Sequence, residues 1–179
     1  MGISTENTAH RIAVTWIDDI GILQEGVYIP RRDSDSQINC LLGGRVFPGE
    51  LHPANFQVTD TGSQIVFSRQ SHDKAVAINL QAGAVDHLPA ASIFRTLDEA
   101  SQFFENGSLG YSATRDAHRL DGMKLHTTEW RVEPLAIQNV FSSYFSDETN
   151  FARGTAVFDH ALLMRNIAHE WLPAADLCA

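Results

Sequence analysis

The side chains of this sequence that could do chemistry on a small molecule are few and scattered. Tyr111 stands in ENGSLGYSATR, Lys124 and His126 alternate in MKLHTTEW, and Asp159 precedes His160 in VFDHALLM. Arg31 and Arg32 form a pair in VYIPRRDSD. A tyrosine donates a hydrogen bond or acts as a weak acid with a reference pKa of about 10. A lysine kept neutral forms an imine with a ketone, and the guanidinium fork clamps a carboxylate or carbonyl oxygen. Tyr111, Lys124, His126 and Asp159 are therefore the candidates for catalysis, and Arg31, Arg32 and Tyr111 the candidates for holding a ligand.

Each has a plainer role beside the chemical one. The sequence has two lysines, Lys74 and Lys124. Lys74 follows the turn signal Ser71-His72-Asp73 and reads as a solvated turn residue. Alternation sets Lys124, His126, Thr128, Trp130 and Val132 on one side of a strand and Met123, Leu125 and Thr127 on the other. The Met123 side is the better core candidate, which leaves Lys124 exposed. Arg31 falls on the same strand side as Val27 and Ile29, where a guanidinium needs a carboxylate from the protein or from a ligand. Asp33, Glu25 and Asp159 are the internal partners to expect. Asp159 shares a side with Val157 and Leu163 and is either a pocket acid or a partner of Arg165.

Other chemistries find less support. The eight histidines form no HExxH and no tight HxH motif, and His160 and His169, nine apart, fall on opposite faces of one unbroken strand. No metal site and no cofactor is expected. Cys40, in the apolar INCLLGG, reads as a buried inert thiol, and no GxSxG elbow is present.

The elements that must position these residues are mostly strands. HRIAVTW, GILQEGVYIPRRD, NFQVTD, SQIVFSR, KAVAINLQAGAV, LGYSA, MKLHTTEWRVE, LAIQNVFSSYF and TAVFDHALLMRNI alternate with a period of two. Pro30 marks a disturbed register, an edge or a strand end. Turns are expected at Thr61-Gly62-Ser63, at Ser71-His72-Asp73, at Asp121-Gly122 and at Arg153-Gly154. The Gly- and Pro-rich DSDSQINCLLGGRVFPGELHP reads as a long loop, with a short helix near Ile38 to Leu42. One helix is clear over residues 97–106: Thr96 and Glu99 make a capping box, and Leu97, Ala100, Phe103 and Phe104 make its apolar stripe. Asn106-Gly107 supplies a left-handed ending. The expected fold is mainly β, an α+β chain forming a β-barrel or a strongly curved antiparallel sheet with that one helix over an end. Such a fold commonly leaves a ligand cavity.

A chain of 179 residues fits one domain spanning residues 1–179. A formal charge of -9, with no basic block, argues against nucleic acid and against an anionic membrane. The opening residues lack the pattern of a secretory signal and no long apolar run is present, so a soluble cytoplasmic protein with reduced thiols is expected.

Three pieces in order carry a resemblance: EGVYIPRRDSDS, then SIFRTLDEASQFFENGSLGYSATR, then RLDGMKLHTTEWRVEPL running into FDHALLMRNIAHEW. From Glu25 to Trp171 the chain resembles acetoacetate decarboxylase-like proteins, in a branch that lacks the Schiff-base lysine. The resemblance implies a β-barrel-like fold around a mostly apolar cavity. It makes Arg31 the formal match to the decarboxylase's Arg-x-Asp arginine, with Arg32 the near alternative. At the reactive lysine's position stand Gly110, Tyr111 and Ser112, and Tyr111 cannot form an imine.

The expectation is thus a binder of a small organic ligand bearing a carboxylate or carbonyl, contacted by Tyr111, Arg31 and Arg32 within apolar walls that include Phe94, Phe104 and Met164. A lyase-like enzyme using non-covalent acid/base chemistry on a small oxo acid is the first alternative. A structural or interaction protein with a packed barrel is the second, and a homo-oligomer stays open under each.

Overall fold

The computed structural model describes residues 4–44 and 48–178. In chain order its elements are β1 (Asn7–Ile17), β2 (Leu23–Ser34), α1 (Gln37–Leu42), β3 (His52–Asp60), β4 (Gln64–Ser71), β5 (Ala77–Ala84), α2 (Leu97–Asn106), β6 (Leu109–Ala113), β7 (Arg119–Thr127), β8 (Glu133–Ser142), α3 (Ser143–Ser146), β9 (Ala161–Leu163), β10 (His169–Pro173) and β11 (Leu177–Cys178). The chain is mainly β, as the period-two patterning predicts. Among the described residues no helix is long and apolar enough to cross a membrane.

The chain divides into two compact units. The first is drawn from Met1–Pro53, Phe103–Glu129 and Ile167–Ala179, and the second from Ala54–Gln102 and Trp130–Asn166.

In the first unit β1 and β2 form a long antiparallel hairpin. β2 runs parallel to β6 through Val27, Tyr28 and Ile29, which face Gly110, Tyr111 and Ser112. At its far end Asp33 and Ser34 run parallel to His52 and Pro53. β6 pairs antiparallel with β7, and β7 with both β10 and β11. The pairing is therefore mixed rather than wholly antiparallel. Val27 and Ile29 of β2 and Met123 of β7, the strands on either side of β6, make its apolar core.

The second unit is an antiparallel run, β3 to β4 to β5 to β8 to β9. Ile65, Ala82 and Leu135 form its core, with Leu80, Ile137 and Leu163 packed against them. Neither unit's ladder closes on itself among the described residues.

Four local readings need correction. Pro30 disturbs the register but is neither at an edge nor at a strand end. Between the pairs His10 with Arg31 and Ile12 with Tyr28, β1 advances by two residues and β2 by three. A bulge therefore accommodates the residue that has no N–H to donate. The extra residue also turns Arg31 and Asp33 onto the side of Tyr28, away from Val27 and Ile29. Strict alternation had set Arg31 with Val27.

Asp121-Gly122 is not a turn. Both residues are buried inside β7, and Gly122 is there for space, since a Cβ on it would meet the Ala175 carbonyl oxygen at 2.2 Å. The end of α2 is not left-handed, because neither Asn106 nor Gly107 has a positive φ. Gly107 instead lies against Val27, 3.3 Å from where its own Cβ would be. Finally, TAVFDHALLMRNI yields only the short β9. Asn166, at a φ of 55°, lies between β9 and β10, so His160 and His169 do not share one unbroken strand.

Candidate functional site

A concave surface of the second unit is built by the segment between β5 and α2. Asp86 to Leu97 surround a cleft of about 590 Å³, with Asp86, His87, Phe94, Arg95 and Thr96 among its walls. A segment with no strand or helix of its own needs other partners for its backbone, and here one carboxylate supplies them. Asp159 accepts hydrogen bonds from the Ser92 hydroxyl at 2.7 Å and from the Ile93 amide at 2.8 Å. The Ser92 hydroxyl accepts in turn from the Phe94 amide at 3.2 Å. α2 then begins with its capping box: Thr96 Oγ1 accepts from the Glu99 amide, and the Glu99 carboxylate accepts from the Arg95 amide.

Asp159 also faces His160, whose Nδ1 lies 2.5 Å from Oδ2. The hydrogen bond from Ser92, followed by that from His160, holds the Asp159 carboxyl below the usual carboxylate range. An ionised carboxylate is an acceptor only, so the Nδ1 position of His160 carries the proton. The ring packs edge-on against Phe94, centroids 5.3 Å apart. Asp159 thus both fixes one wall of the cleft and orients a largely buried imidazole. Met164, just past the end of β9, is half-buried and is not among the walls of the cleft.

The first unit holds the other candidates. Tyr111 is buried, pairs with Tyr28 on one side and Gly122 on the other, and packs edge-on against Trp16 with centroids 5.3 Å apart. Gly26 makes room for both rings: a Cβ there would stand 3.3 Å from each. Burial pushes the Tyr111 phenol above its ordinary pKa. Lys124 and His126 are exposed on β7 while Met123 is buried. Arg31 donates to Asp33 through Nε and Nη2, at 3.1 and 3.0 Å, and the Asp33 side chain has no exposure. Arg32 donates from Nη1 to the Pro48 carbonyl at 2.6 Å. Burial, then the neighbouring Arg11, lowers its pKa. Phe104 is exposed and lies edge-on to Phe103.

Tyr111, Lys124, His126, Arg31, Arg32 and Phe104 therefore belong to the first unit, and Phe94, Asp159 and Met164 to the second. Within the second, the geometry brings Phe94 and Asp159 together around Ser92 and His160. Arg165 does not pair with Asp159. It binds Asp60 at 2.9 Å, the Gly62 carbonyl and Glu133.

Sequence reasoning passed over Ser92 and Arg95 and weighed His160 only as a metal ligand. His160 was legible as the neighbour of an acid, while Ser92 carries no local signal, being distant from Asp159 in the chain. Arg69, buried on β4, was missed as well. Burial, then Asp33 and Asp35, raises the Cys40 thiol's pKa, which disfavours the thiolate a hydrolase would need. Among the described residues no three His, Cys, Asp or Glu side chains group as a metal site.

Comparison with known protein families, with curated proteins and with solved structures finds no match.

Proposed function

We propose that this protein binds a small carboxylate or carbonyl compound without forming an imine with it, as a member of the acetoacetate decarboxylase-like group with the barrel that group implies. The observation that carries the reading is the cleft between β5 and α2. Its volume of about 590 Å³ suits a small organic ligand. It combines the apolar faces of Leu88, Pro89 and Phe94 with the exposed Arg95. A guanidinium fork beside apolar walls is a favourable setting for a carboxylate.

The lysines support the second half of the proposal. An imine-forming lysine must be neutral, a state that apolar burial or an adjacent cation provides. Lys74 sits on an exposed turn at a φ of 59°, and Lys124 is exposed on β7. Neither has the apolar surroundings that the chemistry needs.

The test is borohydride trapping with acetoacetate, pyruvate and longer oxo acids, read by intact mass on the wild type and on Lys124→Ala, beside thermal unfolding with the same acids. The expected result is no adduct, and a melting temperature that rises with acid concentration and stops rising in Arg95→Ala. A borohydride adduct lost in Lys124→Ala would restore imine catalysis. No stabilisation by any of these acids would remove the binding proposal.

One contact favours a second reading, the acid/base lyase. Asp159 holds His160 Nδ1 at 2.5 Å, and a carboxylate that fixes the tautomer of an imidazole is the usual support of a general base. Consumption of the stabilising acid, abolished in His160→Gln, is the outcome that distinguishes it from simple binding.

A further inference from the structure

We infer that Arg11 and Arg32, in the first unit, form a binding site for a phosphoryl group, carried by a small phosphate ester or by inorganic phosphate. The inference does not rest on the cleft of the second unit. Register brings the two arginines together. β1 keeps its regular alternation past the bulge, so Ala9, Arg11 and Ala13 share one side of the hairpin. Ala9 stands opposite Arg32, and Ala13 opposite Val27. Arg11 and Arg32 are therefore diagonal cross-strand neighbours on the Val27 side, a spacing that long side chains bridge.

The other arginines described in this unit each have a carboxylate. Arg31 has Asp33, Arg115 has Glu50, and Arg119 has both Asp121 and Asp176. Among the described residues Arg11 and Arg32 have none. A single backbone carbonyl holds each of them: Arg11 Nη2 donates to Gly107 at 2.7 Å, and Arg32 Nη1 to Pro48 at 2.6 Å. The contrast is sharpest within the Arg31-Arg32 pair. Arg31 meets a carboxylate with no exposure, while the next residue meets a second cation.

Like charges set across a strand pair repel, and protein packed around them weakens the screening by water. Burial lowers the pKa of both guanidinia, and the neighbouring Arg11 lowers that of Arg32 further. Arg11 nevertheless keeps an exposed surface and Arg32 is half-buried, so a ligand can reach them. A partly desolvated pair of cations is relieved when an anion joins it. The anchoring carbonyls tie each fork at one nitrogen and leave its other N–H donors uncommitted. A carboxylate, planar and singly charged, is saturated by one fork. Two forks supply the charge and the spread of donors that a phosphoryl dianion takes up. On a chain of formal charge -9 the overall field repels anions, so capture depends on this pair.

Isothermal titration calorimetry of the full chain at constant ionic strength tests this, with inorganic phosphate, glycerol phosphate and acetate as probes. Arg11→Gln is the variant, and Arg115→Gln, which removes an exposed arginine already paired with Glu50, is the control. The expected result is one phosphate site in the wild type and control, weakened at least about tenfold in Arg11→Gln, with acetate bound far more weakly. Tighter binding of glycerol phosphate assigns the site to an ester, and tighter binding of inorganic phosphate assigns it to the free anion. Should Arg11→Gln fail to fold, Arg11→Lys keeps the charge, gives up the fork and is expected to weaken phosphate binding as well. A wild type that binds neither phosphate overturns the inference. So does an unchanged affinity in the folded variant, or acetate bound as tightly as phosphate.

Discussion

Gly122 and the carbonyl oxygen of Ala175 approach so closely that a β-carbon on Gly122 would lie 2.2 Å from that oxygen. The obstacle is backbone, and the same neighbourhood is tied down by the Ala174 amide donating to the Gly122 carbonyl at 3.1 Å and the Gly122 amide donating to Asp176 at 3.1 Å. Relief would require the segment between β10 and β11 to leave β7. Gly122→Ala should therefore cost ~3 kcal/mol or more, at the upper end for overpacked sites. Each kcal/mol lowers the melting temperature of a chain this size by about 2–4 °C. A loss below one degree in calorimetry would show that the segment yields easily.

Tyr111 should be needed for its ring more than for its hydroxyl. Tyr111→Ala removes the edge-on contact with Trp16 and leaves a cavity beside Gly26, a change expected to cost ~3–5 kcal/mol. Tyr111→Phe keeps the ring and should cost less than ~1 kcal/mol. Urea titrations of the two variants check the contrast.

The same burial makes a statement about alkaline pH. The folded-state pKa of Tyr111 lies above its unfolded value of about 10. Its contribution to stability is complete below that value and is lost as pH rises through the folded pKa. Of the three tyrosines, one should ionise late in a tyrosinate absorbance titration, and Tyr111→Phe should remove that late step.

Asp159 predicts the opposite sign at acid pH. Its folded pKa is depressed, chiefly by the Ser92 hydrogen bond. Its stabilisation is present above the ordinary carboxylate pKa and disappears as pH falls through the lower folded value. Ser92→Ala should raise the carboxyl pKa toward the ordinary range, followed by the carboxyl resonance in NMR. An unchanged pKa in Ser92→Ala would assign the depression to His160 instead.

Asp18→Ala should loosen the hairpin tip with a smaller effect on global unfolding than Gly122→Ala. It removes acceptors for the Ile20 and Ile22 amides and for Gln24. Faster amide exchange confined to residues near Ile20 is the expected readout, and protection unchanged there would show that Gly21 alone shapes the turn.

The sequence was most legible where the cause of structure is local. LGYSA coincides with β6 and residues 97–106 with α2, because alternation and capping boxes act over a few residues. Lys124 exposed beside buried Met123 follows from the same rule. Legibility failed where the reason sits far along the chain. Asp121-Gly122 reads as a turn until the Ala175 carbonyl is known, and Asp159 reads as Arg165's partner until Ser92 is seen beneath it. β10 and β11 were not expected at all, being short and, for β10, exposed throughout. The candidate site suffered most, since a cleft made by an irregular segment has no period to betray it.

The bulge at Pro30 has a consequence for how the chain can change over time. Because β2 spends three residues where β1 spends two, losing one residue between Tyr28 and Arg31 would erase the bulge and leave Arg31 opposite His10 and Asp33 opposite Thr8. Losing a residue from a regular stretch of either strand would instead act as a frameshift acts on a reading frame, sending every side chain beyond it to the other side. The bulge is therefore a place where the hairpin can change its length and keep its register.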